Sequence, residues 1–405
     1  MDTAFIGHLG ARSLGALSVS VSIFNSFFWI FNFLIHIPME SVSKGKELGE
    51  GAQLVQAKVG LFVSILVGAL SFCILYFFSI PILKIAGAQP ETFELAKEYF
   101  IIRVIGQPFL LIYFCLLSIL RGVGRARASL FPVCSSVFMN ILMTYIFIYH
   151  FDYGLKGAAL GTVISYIVGL IITIYLLLKD FGLELFSLRD IPPIDSFSHF
   201  SNKSLFLFIR SLCLTSIFFI STKIAAEIGL YAISAYQIAI QFWLFSSYFL
   251  DGLAMVGNIE TAKLCVNRSK KEFFDFSSKL FQLSVLVGLA FTLIYFLFSK
   301  FLFSMFTTDQ KIIELLSQIW PIVLGGQVIN SLAFSIDGVY FGLGGHKRLA
   351  KMMILNILLI FIPIASVSLS LGSLKILIFS LLLTSIFRWF FLKRFLHIDF
   401  SKEVV

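Results

Sequence analysis

RVIGQPFLLIYFCLLSILRGVGRAR, residues 103–127, returns 220 residues later as VLGGQVINSLAFSIDGVYFGLGGHK, residues 323–347. Gly106/Gly326, Gln107/Gln327, Gly122/Gly342 and Gly124/Gly344 coincide, and Arg127 falls opposite Lys347. Each copy is an apolar run long enough to cross ~30 Å of hydrocarbon as a helix, closed by a Gly-x-Gly turn and a basic loop. A second register, one residue shorter, pairs LGARSLGA (9–16) with IGLYAISA (228–235) and Lys44 with Lys263. The chain is therefore a tandem repeat. Because the basic loops recur on the same side in each half, the halves are parallel, and such repeats are a common construction of secondary transporters.

Working outward, 59% of the 405 residues are hydrophobic and 13% charged, too little polar surface to clothe a water-soluble fold. Apolar runs near 14–37, 57–83, 99–120, 128–149, 157–178, 204–225, 232–256, 280–303, 316–342, 350–371 and 374–396 predict an all-α polytopic membrane protein with eleven complete spans. Runs of this kind lack the dyad alternation of a β-barrel. Cys73, Cys115, Cys134, Cys213 and Cys265 form no CxxC pair, so neither a disulfide framework nor a metal site is indicated. The net charge of +9 is spread one loop at a time, which points to orientation and not to nucleic acid. Alternate connections carry Lys44/Lys46/Lys58, Arg121/Arg125/Arg127, Lys179/Arg189/Lys203, the 263–279 basic group, Lys347/Arg348/Lys351 and the tail Arg388/Lys393/Arg394/Lys402. By the positive-inside rule these and the C-terminus face the cytoplasm, which implies a multi-pass protein of the cell's inner membrane.

KDFGLELFSLRDIPPIDSFSHFSNK (179–203) is the longest polar stretch and reads as a cytoplasmic linker, with Pro192 and Pro193 against a continuous helix. It divides an N-terminal lobe, 1–178, from a C-terminal lobe, 204–405. In the repeat register Asp2 aligns with Ser221, and the seventeen apolar residues from Leu205 to Ser221 have no counterpart before it. The expectation is that Met1 is an internal methionine and that the start of helix 1 is missing, through a start codon placed too far downstream or a shortened gene. On this reading Asp2 lies within the membrane.

MDTAFIGHLG (1–10), GLKGAALGTVISY (154–166), YFLDGLAMVGNIETAK (248–263) and SIDGVYFGLGGHKR (335–348), in this order along the chain, resemble the multidrug and toxic compound extrusion (MATE) transporters, and most of all their DinF-like branch. The resemblance implies two six-helix lobes forming a V-shaped cavity, twelve helices with the first incomplete. It also implies export of drug-like, often cationic or amphipathic compounds in exchange for Na⁺ or H⁺, by a monomer in the bilayer.

Asp2 is the leading coupling candidate, since a carboxylate inside a span costs on the order of 3 kcal/mol and is kept where it faces a cavity or ion path. The resemblance gives it Asn140 and Thr162 as partners. Asn140 and Thr144 stand four apart, on one face of a helix, and oxygen-only side chains suit an alkali cation; no other metal is expected. Many members of the family carry Asp or Asn where this chain has Thr144. In the second half, Asp337 occupies a position where some relatives carry a carboxylate, and Asp251, beside Gly252, is a further candidate for substrate or coupling. Arg210, within SLFLFIRSLCL, is expected to snorkel to the cytoplasmic headgroups in preference to pairing with one of these acids. Gln107 and Gln327 are read as architecture, each amide bonding a neighbouring helix. Gly122/Gly124 and Gly342/Gly344 are read as helix ends that turn the chain, not phosphate cradles.

The scattered histidines match no HExxH spacing and no nucleotide motif is present, so neither an enzyme nor an ATP-driven pump is indicated and no cofactor is called for. A flippase for lipids or lipid-linked oligosaccharides would want several arginines to hold a pyrophosphate, and the sequence offers mainly Arg210 and Arg103. An inactive, truncated paralogue is the remaining alternative.

Overall fold

The computed structural model describes residues 11–86, 90, 92–187, 191–307 and 309–403, and these are helical almost throughout, with no strand among them. Eleven of the helical segments are long and apolar enough to cross a membrane. The chain divides into two compact units, 1–204 and 205–405.

The first unit holds α1 (Ala11–Ile30), α2 (Phe33–Leu48), α3 (Glu50–Phe77), the short α4 (Ser79–Ile85), α5 (Phe93–Gly122), α6 (Leu130–Tyr145) with a π-turn over Ile146–His150, and α7 (Gly154–Phe181) with a 3₁₀ turn over Gly182–Phe186. α8 (Ile194–Ile228) begins in this unit and runs into the second, which continues with α9 (Leu230–Val266), α10 (Lys270–Leu297), the short α11 (Ser299–Phe306), α12 (Gln310–Leu343), α13 (His346–Asn356), a π-turn over Ile357–Phe361, α14 (Ile362–Leu371) and α15 (Leu374–Glu403).

The repeat carries through to residue level. α3 and α10 are both 28 residues long and begin 220 positions apart. Each gives way to a short helix at the same register position, through Phe78 (φ −103°, ψ 20°) in one half and Phe298 (φ −102°, ψ 11°) in the other. The Gly-x-Gly elements divide the labour: Gly124 (φ 98°) and Gly344 (φ 88°) take the left-handed conformation that turns the chain out of its helix. Their partners sit in helix contacts: a Cβ on Gly122 would lie 2.8 Å from the Met39 carbonyl oxygen, and one on Gly342 only 2.2 Å from that of Asn258. Close backbone approach through small residues is how helices associate where lipid removes the hydrophobic drive.

Each unit has its own core. In the first, Phe24, Leu75, Tyr99 and Phe100 pack toward one end, and Leu116, Leu117, Leu120 and Leu177 toward the other. In the second, Phe242 takes the edges of Tyr295, Phe306 and Trp320, and Tyr295 donates its hydroxyl hydrogen to the Phe242 carbonyl (3.0 Å). Leu66, Phe77, Leu286 and Phe296 stand out from the helices, exposed apolar side chains of the kind lipid covers.

The runs placed at 57–83 and 280–303 cross the breaks at Phe78 and Phe298, and two further boundaries differ from the sequence expectation. The span placed at 14–37 is α1 and α2, broken at Phe31–Asn32 and continuing to Leu48. It runs on because Glu40, which ends the apolar run, is fully buried and ion-paired inside the unit. The linker placed at 179–203 is largely helical: α7 extends to Phe181 and α8 starts at Ile194. Pro192 and Pro193 precede that helix instead of interrupting it, a place where a missing N–H costs nothing.

Candidate functional site

In the first unit α6 and α7 bring three of the expected residues together. Asn140 donates Nδ2–H to Thr162 Oγ1 (3.1 Å), and Thr162 Oγ1 donates in turn to the Ala158 carbonyl one turn back (3.0 Å). Thr144 lies one turn along α6 from Asn140, almost fully buried, with its Oγ1 unbonded. Gly161 makes the approach possible, since a Cβ there would fall 2.6 Å from Thr144 Oγ1. Asp2, proposed as their partner, lies outside the described residues. The trio is a set of neutral oxygens and amide hydrogens.

A cation lies near it. The guanidinium of Arg103 of α5, named above with Arg210 among the arginines the spans offer, lies over the rings of Phe24 (5.0 Å), Tyr166 (5.4 Å) and Tyr99 (5.9 Å). Tyr166 stands one turn beyond Thr162 on α7, so a fixed cation held by aromatic faces borders the neutral trio.

The second unit differs in kind. Arg210 of α8 is buried and hydrogen-bonded through Nη2 to Asp337 Oδ2 of α12, not extended to the membrane surface as expected. Arg388 of α15 places Nη1 3.7 Å from the same carboxylate oxygen. The two guanidiniums also stack on rings flanking Asp337 along α12, Arg210 on Phe341 (5.1 Å) and Arg388 on Phe334 (5.4 Å). Asp251 of α9, half-buried, lies within electrostatic reach of both arginines and of Asp337. The result is a balanced group of two cations and two carboxylates contributed by four helices.

Snorkelling loses to pairing here because the carboxylate and the ring lie within the side chain's reach and burial has already removed the water. Arg388 was grouped with the basic tail, and its signal was visible: apolar LKILIFSLLLTSIF precedes it and WFFL follows. Closer to the end of α15, Arg348 of α13 grips Asp399 with Nη2 (2.6 Å) and Nε (2.8 Å), and Tyr340 donates to the same carboxylate (3.0 Å). This clamp ties three helices and reads as structural.

The glutamines do not bridge helices as expected. Gln327 donates Nε2–H to Val323 on its own helix (3.1 Å) and lines a cavity of about 20 Å³ with Asn330, while Gln107 Nε2 is buried without a hydrogen-bond partner. Gln327 bonds within its own helix where α9 and α15 present apolar side chains across the cavity, among them Ile240, Trp243, Ile378 and Leu381. Among the described residues no cluster of His, Cys, Asp and Glu is arranged to hold a metal ion.

Two repeats of membrane-spanning helices, each with a polar or charged group buried among its helices, define a polytopic helical membrane protein. The chain belongs to the MatE family, the multidrug and toxic compound extrusion family: its model matches residues 1–146 and 207–367. The chain is 27% identical over 383 residues to Protein DETOXIFICATION 45, chloroplastic, of Arabidopsis thaliana, a match covering 87% of this chain and 66% of that protein. It is 25% identical over 307 residues to multidrug export protein MepA of Staphylococcus aureus (strain N315), covering 76% and 68%. The fold superposes on a crystal structure of MATE in the bent conformation with a TM-score of 0.90 at 18% identity, over 100% of this chain and 92% of that one. It matches an outward-facing multidrug resistance MATE family transporter equally well, TM-score 0.90 at 18% identity, over 99% and 91%.

Proposed function

We propose that the chain is a secondary active exporter of small drug-like compounds, often cationic or amphipathic, which it exchanges for H⁺ or Na⁺ by alternating access. The observation that carries this reading is the buried group Arg210, Asp337, Arg388 and Asp251. Four ionisable side chains among apolar helices are costly, and such groups mark ion or substrate paths. A carboxylate shared between two arginines is also suited to switching: protonating it, or giving it a cation, would release a guanidinium and change which helices are tied together. Family membership and the relatives named for drug export support the same reading. The motifs at 248–263 and 335–348 favour the DinF-like branch. On this reading one copy in the cytoplasmic membrane, C-terminus inside, needs no nucleotide and no cofactor beyond the coupling ion.

The test is ethidium export by an efflux-deficient bacterium. Asp337→Asn, with export normalised to the amount of protein in the membrane, is expected to lose export, and Asp2→Asn to reduce it. An Asp337→Asn chain that pumps like the parent sinks the coupling role of the second unit, and no export by the parent sinks the exporter reading. The flippase alternative gains nothing from Arg388, because each buried arginine of this group is matched by a carboxylate and no net positive charge is left for a pyrophosphate.

A further inference from the structure

Glu40 of α2 is fully buried, yet two ammonium groups converge on its Oε1: Lys44, one turn on, at 2.9 Å, and Lys203, near the start of α8, also at 2.9 Å. All three belong to the first unit. Beside them opens a cavity of about 260 Å³, lined by both lysines, His199, Ser41, Ser196 and Gln56. A surface lysine ordinarily wanders. These two are anchored by a carboxylate buried behind the cavity wall, and the Lys203 ammonium has three hydrogens, of which Glu40 takes one. The wall thus presents a fixed charge-assisted donor, and two ammonium groups against one carboxylate, with neutral hydroxyl and amide groups and an exposed imidazole around them. That is the chemistry of a phosphate-type anion site. The cavity lies by α2, at its basic last turns with Lys44 and Lys46, which the positive-inside rule puts at the cytoplasmic surface, where anionic headgroups concentrate.

We propose that this cavity binds a phosphate-type anion, supplied as the headgroup of an anionic phospholipid or as free phosphate, and that the anion fastens the start of α8 to α2. The proposal is independent of what the protein exports.

The test uses the full chain, purified and examined by native mass spectrometry for retained phosphatidylglycerol against phosphatidylcholine, and by thermal unfolding with inorganic phosphate. Two variants accompany it: Lys203→Gln, and His199→Glu, which sets a negative charge on the wall one turn before Lys203, where it competes with a bound anion. Preferential retention of phosphatidylglycerol, reduced roughly tenfold in Lys203→Gln as expected for losing one charge-assisted hydrogen bond and reduced also in His199→Glu by like-charge repulsion, identifies a lipid site. Stabilisation by phosphate that both variants lose, without lipid preference, identifies a soluble anion. If Lys203→Gln does not fold, His199→Glu decides alone. Equal retention of the two lipids with no phosphate effect, or effects that persist in His199→Glu, overturns the proposal.

Discussion

The two halves share a scaffold and differ in what they bury. α3 and α10 keep the same length in the same register, and the same short helix follows each. Yet in that register Asp337 falls opposite Leu117 and Arg388 opposite Val168, while Asn140, Thr144 and Thr162 fall opposite Ile360, Ile364 and Leu382. In the register one residue shorter, Asp251, within the unbroken α9, falls opposite Asn32, where the first half breaks between α1 and α2. Packing positions and the buried Gln107/Gln327 pair have been kept in duplicate, whereas the neutral trio and the Arg210–Asp337–Arg388–Asp251 group have not. The lesson is that the repeat supplies the frame, and each half then adds its own groups to it: among the described residues, a neutral trio between α6 and α7 in one, balanced charge in the other.

The comparison is broken most directly at the charged group. Asp337→Asn leaves two buried guanidiniums facing Asp251 alone, and stranding a buried charge costs about 3–5 kcal/mol. A large fall in the thermal midpoint of the purified protein is the expected result, with midpoint and membrane abundance as readouts. Pairing it with Arg388→Met restores electrical balance and is expected to recover most of the loss. Should the double variant be no better than the single, the group is held by shape and not by charge.

A second, smaller difference lies in how closely the shared frame is packed. Gly342→Ala forces a Cβ to within 2.2 Å of a backbone oxygen, whereas Gly122→Ala meets its oxygen at 2.8 Å. Overpacking of this kind costs about 1–3 kcal/mol, and Gly342→Ala is expected at the upper end with Gly122→Ala below it. Comparing the two midpoints tests whether the second half really is the tighter one.

How much of this was legible depended on whether a residue's neighbours in sequence resemble its neighbours in space. Spans, the repeat and the paired glycines are local or periodic features, so they could be read from the chain. Glu40 could not, because its burial rests on Lys203, 163 positions away, and hydropathy alone ended the helix beside it. Arg210 and Arg388 failed for the same reason: a lone arginine in an apolar run snorkels or pairs according to what stands across from it. Asn140, Thr144 and Thr162 do come together, but it was the family resemblance that named Asn140 and Thr162, and helical spacing on α6 added only Thr144.

The smallest effect belongs to that neutral trio. Asn140→Ala removes one interhelical hydrogen bond between uncharged groups, worth about 0.5–1 kcal/mol inside a membrane bundle. No charge is stranded, since Thr162 Oγ1 keeps its bond to the Ala158 carbonyl. A midpoint shift several times smaller than that of Asp337→Asn is therefore expected, and the decisive quantity is the ratio of the two. The same variant tested for export separates stability from chemistry. If export falls sharply while the midpoint scarcely moves, the amide oxygen of Asn140 is a ligand for the coupling ion, and the halves divide one task between them. If export follows the midpoint, Asn140 only joins α6 to α7, and the charged group of the second half stands alone as the coupling element among the described residues.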